Sequence, residues 1–173
     1  ATFRVADFVP DNMKITTIIA GGDTDGWIGI DGIRANVSLR NLFGTAATDK
    51  RITASATLTP TNFTFDAFPD YVFTPNFISG TGLADGTARA SQTFTANMPD
   101  MHTDDNGTAT ISINFDDVIP DGTYILKLTT AGFESASGRS VRTPTTARVS
   151  NAKYLVGYHA DGDLKYIARG ASR

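Results

Sequence analysis

His102 and His159 are the only two imidazoles in the chain, so histidine-based acid–base chemistry would have to start from them. A serine-type hydrolase needs a nucleophile, a base and an orienting carboxylate in mutual reach. His102 lies in the turn-rich stretch from Met98 to Asp105, and His159 immediately precedes the turn Ala160-Asp161-Gly162-Asp163. Neither stands near a Gly-x-Ser-x-Gly elbow, and the chain contains none. Both read as solvated loop histidines. Carboxylates are paired at Asp104-Asp105, at Asp116-Asp117 and at Asp161 with Asp163. Glycosidase carboxylates must face each other across a bond at a defined separation. Adjacent Asp residues on one strand or turn point apart, and turn formation through Asx hydrogen bonds accounts for them. Calcium is the sharper alternative at Asp23-Thr24-Asp25-Gly26 and Asp104-Asp105-Asn106-Gly107. An EF-hand loop closes with a Glu about six residues after its Gly, and neither stretch supplies one. The run from Gly21 to Gly26 also lacks the Lys of a phosphate loop; Trp27 follows instead. The expectation is that no residue of this chain is catalytic, holds a metal or binds a cofactor.

Bulk composition narrows the classes further. The 173 residues are 40% hydrophobic and 19% charged, which argues against disorder and suits one good-sized domain. Net charge is −3 with no Lys/Arg cluster, so a nucleic-acid partner is not expected. No apolar run approaches the ~20 residues that span a bilayer, so no membrane contact by this segment is expected. No signal or transit sequence is visible, and the chain does not begin with Met, as expected of a processed product or a piece cut from something longer. Cysteine is absent, which removes disulfides, thiolate metal sites and cysteine nucleophiles from this chain.

The elements that must position these side chains read as strands. Thr is frequent, and its branched Cβ suits a pleated, half-solvated surface. Ala109, Ile111, Ile113 and Phe115 alternate with Thr108, Thr110, Ser112 and Asn114, and Tyr124, Leu126 and Leu128 alternate with Ile125, Lys127 and Thr129. That period of two marks strands with one buried face, here built to pack two sheets together. Ile33, Ala35, Val37 and Leu39 form one such face, and Ile52, Ala54, Ala56 and Leu58 another, with a polar, hairpin-like connection from Gly44 to Arg51. Further strands are expected over residues 3–8, 14–20, 91–96 and 139–150, and a last hairpin after Asn151. Residues 134–138 read as a hairpin loop. Between Pro60 and Gly86, Phe63, Phe65, Phe68, Tyr71, Phe73 and Phe77 share a stretch with three prolines, which break any long strand. This predicts an extended, aromatic-rich insertion packed along a sheet edge, with Leu83 to Ala90 the best candidate for a mobile loop. Trp27 is expected as a partly buried cover. The fold class is an all-β antiparallel sandwich of about seven strands, similar to fibronectin or immunoglobulin domains in architecture.

Four stretches resemble the macroglobulin-like domains of the α2-macroglobulin and complement superfamily, and more narrowly the bacterial α2-macroglobulins. Phe3-Arg4-Val5-Ala6-Asp7-Phe8-Val9-Pro10 with Met13-Lys14-Ile15 is similar to the junction F-x-V-x-E-[FY]-x-P, with Asp7 where Glu is usual. Leu42-Phe43-Gly44-Thr45-Ala46 through Arg51-Ile52 is similar to the hairpin [LY]-[YF]-G-x-P-[AV], with Ala46 where Pro is common. Thr103-Asp104-Asp105-Asn106-Gly107 is similar to the turn T-D-x-x-G that precedes a core strand. Phe133-Glu134 through Gly138-Arg139-Ser140-Val141, and Tyr154 through Leu164, resemble the bacterial branch. Phe63 to Met98 matches no pattern. The resemblance implies residues 1–9 as the end of a preceding domain, 10–150 as one macroglobulin-like domain and 151–173 as the start of a following region. It implies a structural and interaction role within a protease-trapping inhibitor, in the periplasm or cell envelope, an inner-membrane-anchored parent included. Partners would be neighbouring domains of the same chain, and proteases through the parent. Family members often carry a Cys–Gln thioester; with no Cys, this segment cannot be that reactive part. The alternative is a stand-alone adhesin or carbohydrate-binding sandwich, with coplanar exposed rings from the Phe63–Phe77 set as its platform and calcium in the Asp turns.

Overall fold

A computed structural model describes residues 13–22, 26–73, 92–134 and 139–159. Among the described residues ten strands are seen: β1 Met13–Ile19, β2 Ile33–Asn41, β3 Arg51–Pro60, β4 Val72–Phe73, β5 Phe94–Asn97, β6 Met101–His102, β7 Thr108–Ile113, β8 Thr123–Phe133, β9 Ser140–Ser150 and β10 Gly157–Tyr158. One sheet runs β1-β2-β7 and the other β5-β3-β8-β9, with all ladders antiparallel. These seven strands face each other as a sandwich. β6 prolongs β5 against β3, and β10 pairs with β4 as a small satellite.

The inner layer follows the period-2 pattern. Ile33, Ala35, Val37 and Leu39 on β2 meet Ile52, Ala54, Ala56 and Leu58 on β3, and Ile111, Ile113, Leu126 and Leu128 complete the centre. Each Ile, Leu or Val among them contributes about 1.5–3 kcal/mol when it leaves water entirely. Gly132 leaves room for Leu39 of the facing sheet: a Cβ there would stand 2.8 Å from Leu39 Cδ1. One polar pair interrupts the layer. Thr17 on β1 and Thr130 on β8 share a buried hydroxyl–hydroxyl bond of 2.6 Å across the sandwich.

Two local features depart from the sequence expectation. Residues 44–51 do not join a hairpin. Asn41 N–H bonds Thr45 O and Arg40 bridges Ala46, but the chain then crosses to the other sheet, so β2 and β3 never pair. The stretch after Met98 is not only turn. Ser55 pairs with Asn97 while Ile52 pairs with Met101, so β3 advances three residues and its partner four. β5 and β6 are one strand with a bulge, which bends the edge. β9 falls where the strand over 139–150 is expected, with Pro144 inside its eleven residues. Glu134 N–H bonds Arg139 O, which sets the alternation of the β8–β9 ladder. Pro144, opposite Thr129, falls on a site whose N–H would point away from β8. No ladder bond with β8 is lost, and Pro144 offers no N–H on the outer edge of β9, which Ile28 bridges only further on, at Val149.

The expected strand at 3–8, the loop at Leu83–Ala90, Phe77 and the final turn at Asp161-Gly162-Asp163 lie outside the described residues.

Candidate functional site

The residues singled out for chemistry are best judged by what their atoms already bind. His102 is on β6, with Nδ1 2.7 Å from Asp49 Oδ1. Both side chains stand in solvent, 58% and 87% exposed, so the pair tethers β6 to the loop before β3. Asp49 adopts φ +50, a left-handed conformation that Asp tolerates better than most residues. A triad would need a hydroxyl next. The neighbouring one, Thr103, points inward, donates to Ala47 O at 2.6 Å and accepts the Lys50 N–H at 2.9 Å. Its proton is committed to the fold. His159 is exposed, with Nδ1 3.0 Å from Asp70 O and its ring 5.6 Å from that of Tyr71.

Asp104 is the most fully engaged carboxylate. Oδ1 accepts the N–H groups of Asn106 at 2.9 Å and Thr108 at 2.8 Å, and Oδ2 accepts the Thr108 hydroxyl at 2.8 Å. These donors hold its pKa below the ordinary 3.8, the Thr108 backbone first, then the Thr108 hydroxyl and the Asn106 N–H, against a small opposing effect of desolvation. The turn closes on Gly107, at φ +69, whose carbonyl accepts Leu39 N–H at 2.8 Å. Here the T-D-x-x-G stretch is a device for starting β7. Asp116 and Asp117 are exposed on a bend. Asp23, Asp25, Asp161 and Asp163 lie outside the described residues. Among the described residues, no group of three or more His, Cys, Asp or Glu is placed to hold a metal ion.

The aromatic insertion forms a cluster on one flank. Phe63 is buried, and Trp27, Phe65 and Phe73 are half-buried around it. Trp27 stands 6.1 Å from Phe63 and 6.3 Å from Phe65, and its Nε1–H donates to Ala152 O at 2.9 Å. Trp27 is thus the partial cover its position predicts. Phe65 meets Phe73 edge to face at 4.9 Å and 80°, and Phe63 at 88°. The Arg148 guanidinium lies 5.2 Å over the Phe65 ring. Phe68 and Tyr71 are exposed but cross at 79°. Among the described residues of this set, Phe65 and Phe68 each stand edge-on to a neighbouring ring, so the rings pack each other.

Sequence reasoning missed how the end of β9 is fastened. Tyr124, read only as an inward apolar residue, donates its hydroxyl to Pro120 O at 2.8 Å, a tyrosine corner at the entry to β8. Burial, then the Asp121 charge, raises its pKa above 10.0. Ser150 Oγ donates to Gly122 O at 2.7 Å and accepts the Ala152 N–H at 3.1 Å. Asn151 Oδ1 accepts the Gly122 N–H at 3.2 Å, and its amide nitrogen donates to Asp121. The available signals were Asn151 and Ser150 at a strand end and the Pro-Asp-Gly turn at 120–122. The chain continues from there into β10, which pairs Gly157 with Phe73 and Tyr158 with Val72. Among the described residues no helix is long and apolar enough to cross a membrane.

The arrangement binds its own polar groups and positions strands and turns. Comparison with known proteins gives the family. The family model described as Bacterial Alpha-2-macroglobulin MG5 domain matches residues 30–150. The chain is 36% identical over 172 residues to an alpha-2-macroglobulin homolog of Yersinia pestis, covering 99% of this chain and 8% of that protein. The native conformation of E. coli alpha-2-macroglobulin is similar in fold, with TM-score 0.62 and 21% identity over 90% of this chain and 9% of that one. Trypsin-activated alpha-2-macroglobulin from E. coli is likewise similar, with TM-score 0.62 and 20% identity over 87% of this chain and 9% of the other. The chain therefore spans about 8% of the length of the curated relatives it matches, and it belongs to the family of bacterial alpha-2-macroglobulin MG5 domains.

Proposed function

We infer that this chain is a non-catalytic structural and interaction domain of a bacterial alpha-2-macroglobulin-like, protease-trapping inhibitor of the cell envelope, in the periplasm or on an inner-membrane-anchored parent. One observation carries the reading: a chain that matches the MG5 family over residues 30–150 spends its best chemical groups, His102, Thr103 and Asp104, on its own turns. An E. coli protein of the same fold is activated by trypsin, which supports a protease as the parent's partner. Residues 1–9 would close a preceding domain, 10–150 form the sandwich, and 151–173 open the following region. The domain's task is to set spacing and orientation between neighbours. Its fastened exit at Ser150 and Asn151 suits that task, because a lever transmits position only through rigid ends. No cofactor, metal or thioester is needed for it.

The test compares the full-length protein that carries this chain with the 173-residue chain alone. Each is mixed with trypsin and elastase and followed by size-exclusion chromatography and substrate hydrolysis. Capture by the full-length protein, with neither capture nor hydrolysis by the isolated chain, is the expected result. Tight sugar binding or hydrolysis by the isolated chain, with no capture by the parent, overturns the reading.

A further inference from the structure

Asn106-Gly107 is the one Asn-Gly pair in the chain. Such a pair carries a reaction in its own covalent structure. The Gly nitrogen attacks Cγ of the Asn side chain. The new N–Cγ bond closes a five-membered succinimide, the Cγ–Nδ2 bond breaks, and Nδ2 leaves as ammonia with the proton of the Gly N–H. Water from solvent then opens the ring. Cleavage at Cγ leaves aspartate; cleavage at the main-chain carbonyl leaves isoaspartate, with one extra carbon in the backbone. Gly favours the attack because it sets no side chain against the closing ring and its backbone turns freely.

Asn106 is exposed, so water reaches its amide, and the fold acts instead on the nucleophile. The Gly107 N–H donates to Asp104 O at 2.9 Å, and Gly107 O accepts Leu39 N–H at 2.8 Å. Gly107 is buried at φ +69, with room for a Cβ refused by Leu39 O at 2.5 Å, Ala47 N at 2.9 Å and Ala46 Cα at 3.3 Å. The residues on either side are gripped by one carboxylate. Asp104 Oδ1 accepts the N–H groups of Asn106 at 2.9 Å and Thr108 at 2.8 Å, and Oδ2 accepts the Thr108 hydroxyl at 2.8 Å. The Asp104 N–H in turn donates to Thr108 O at 2.8 Å. Attack requires the Gly107 nitrogen to swing onto Cγ and give up its proton, and these bonds oppose both. The isoaspartate product does not fit the closed turn either, since its extra carbon would push Gly107 out of the space bounded by Leu39 and Ala47.

We propose that Asn106 is a modification site gated by this turn: it deamidates to aspartate and isoaspartate only through local opening of residues 104–108, and Asp104 is the positioning residue that keeps the gate shut. The product is a permanent record of each opening. The proposal stands apart from the inhibitor reading and holds or falls without it.

The experiment follows Asn106 in the full-length protein at neutral pH by peptide mass spectrometry, with fragmentation that separates isoaspartate from aspartate. Conversion should be about a hundredfold slower or more in the native protein than in urea at the same pH, because the native reaction waits for opening. Asp104→Ala removes three bonds from the turn and should speed the native reaction about tenfold or more. Thr130→Val, a destabilising change on β8, should leave it within about twofold, as local rather than global opening requires. Native conversion within about tenfold of the urea rate overturns the proposal, as does acceleration by T130V equal to that by D104A. So does a folded D104A that reacts no faster. Amide exchange in the unmodified protein keeps the test open should D104A fail to fold. The Gly107 N–H should exchange about a hundredfold slower or more than in the unfolded chain, and an unprotected Gly107 overturns the gate.

Discussion

Removing one hydroxyl from the buried Thr17–Thr130 pair should destabilise the domain, and removing both should largely restore it. Thr130 is fully buried on β8 and Thr17 is 7% exposed on β1; their hydroxyls meet at 2.6 Å in an otherwise apolar layer. Val matches Thr in shape, so Thr→Val removes the polar atom and keeps the packing. Each single variant loses a net hydrogen bond and leaves the other hydroxyl buried without its partner, which costs about 1–3 kcal/mol. Replacing both partners by apolar groups of the same shape is nearly neutral, within about 1 kcal/mol. The double-mutant cycle should then show a coupling of at least about 1 kcal/mol, well outside the ~0.3–0.5 kcal/mol error of additivity. Urea unfolding of the 173-residue chain measures this directly. The midpoints of T17V and T130V should fall and that of T17V/T130V should recover, with unchanged slopes. In thermal scans each 1 kcal/mol moves the midpoint by about 2–4 °C for a chain of this size. Single variants within about 0.5 kcal/mol of the parent, or a double variant that simply sums them, would refute the reasoning.

Three further expectations follow from local geometry. Gly107→Ala meets both a left-handed φ of +69 and a Cβ only 2.5 Å from Leu39 O and 2.9 Å from Ala47 N. It should cost about 3 kcal/mol or more, whereas Gly44→Ala, at φ +82 with open space around it, should cost about 1–2 kcal/mol in the same denaturation assay. Tyr124→Phe should lose about 1–2 kcal/mol with the bond to Pro120 O. Because burial, then Asp121, raises the folded-state pKa above 10.0, the unfolded chain releases this proton first. That contribution is complete below pH 10.0 and fades as pH climbs through the folded value, so an alkaline stability titration should show a slope that Y124F lacks. Asp104 runs the other way. Its folded pKa lies below 3.8, so its stabilisation is present above that value and disappears as pH falls through the folded one; Asp104→Ala should flatten the acid limb of the same titration.

Much of the architecture was legible in single strands. The inward sets on β2 and β3 are all buried, and β7 and β8 fall where alternation places them, one in each sheet. The turn at Asp104–Gly107 was readable from residue type, because Asp accepts nearby N–H groups and Gly adopts positive φ without strain. The β5–β6 bulge was not readable, since one extra residue in a polar stretch leaves no periodic trace. The described part of the aromatic insertion, residues 60–73, sits on one flank, but its ring angles were beyond reach. Composition sets that large rings must leave water; only packing sets the angles at which they do so.

Alternation, turn residues and the missing cysteine determined by themselves an all-β chain, its inward faces and the exclusion of thiol chemistry. These are local properties, carried by periods of two residues and by backbone freedom at single positions. Tertiary structure alone decided which strands pair. A polar connection such as 44–51 serves a hairpin or a crossing equally well, and the choice is made by partners far along the chain, β7 for β2 and β8 for β3. It also decided that Thr17 and Thr130, 113 residues apart, share one buried hydrogen bond. Two segments separated in sequence likewise met only when Tyr158 was set against Val72. Side-chain chemistry is written in sequence, but its neighbourhood is written by the packing of whole sheets.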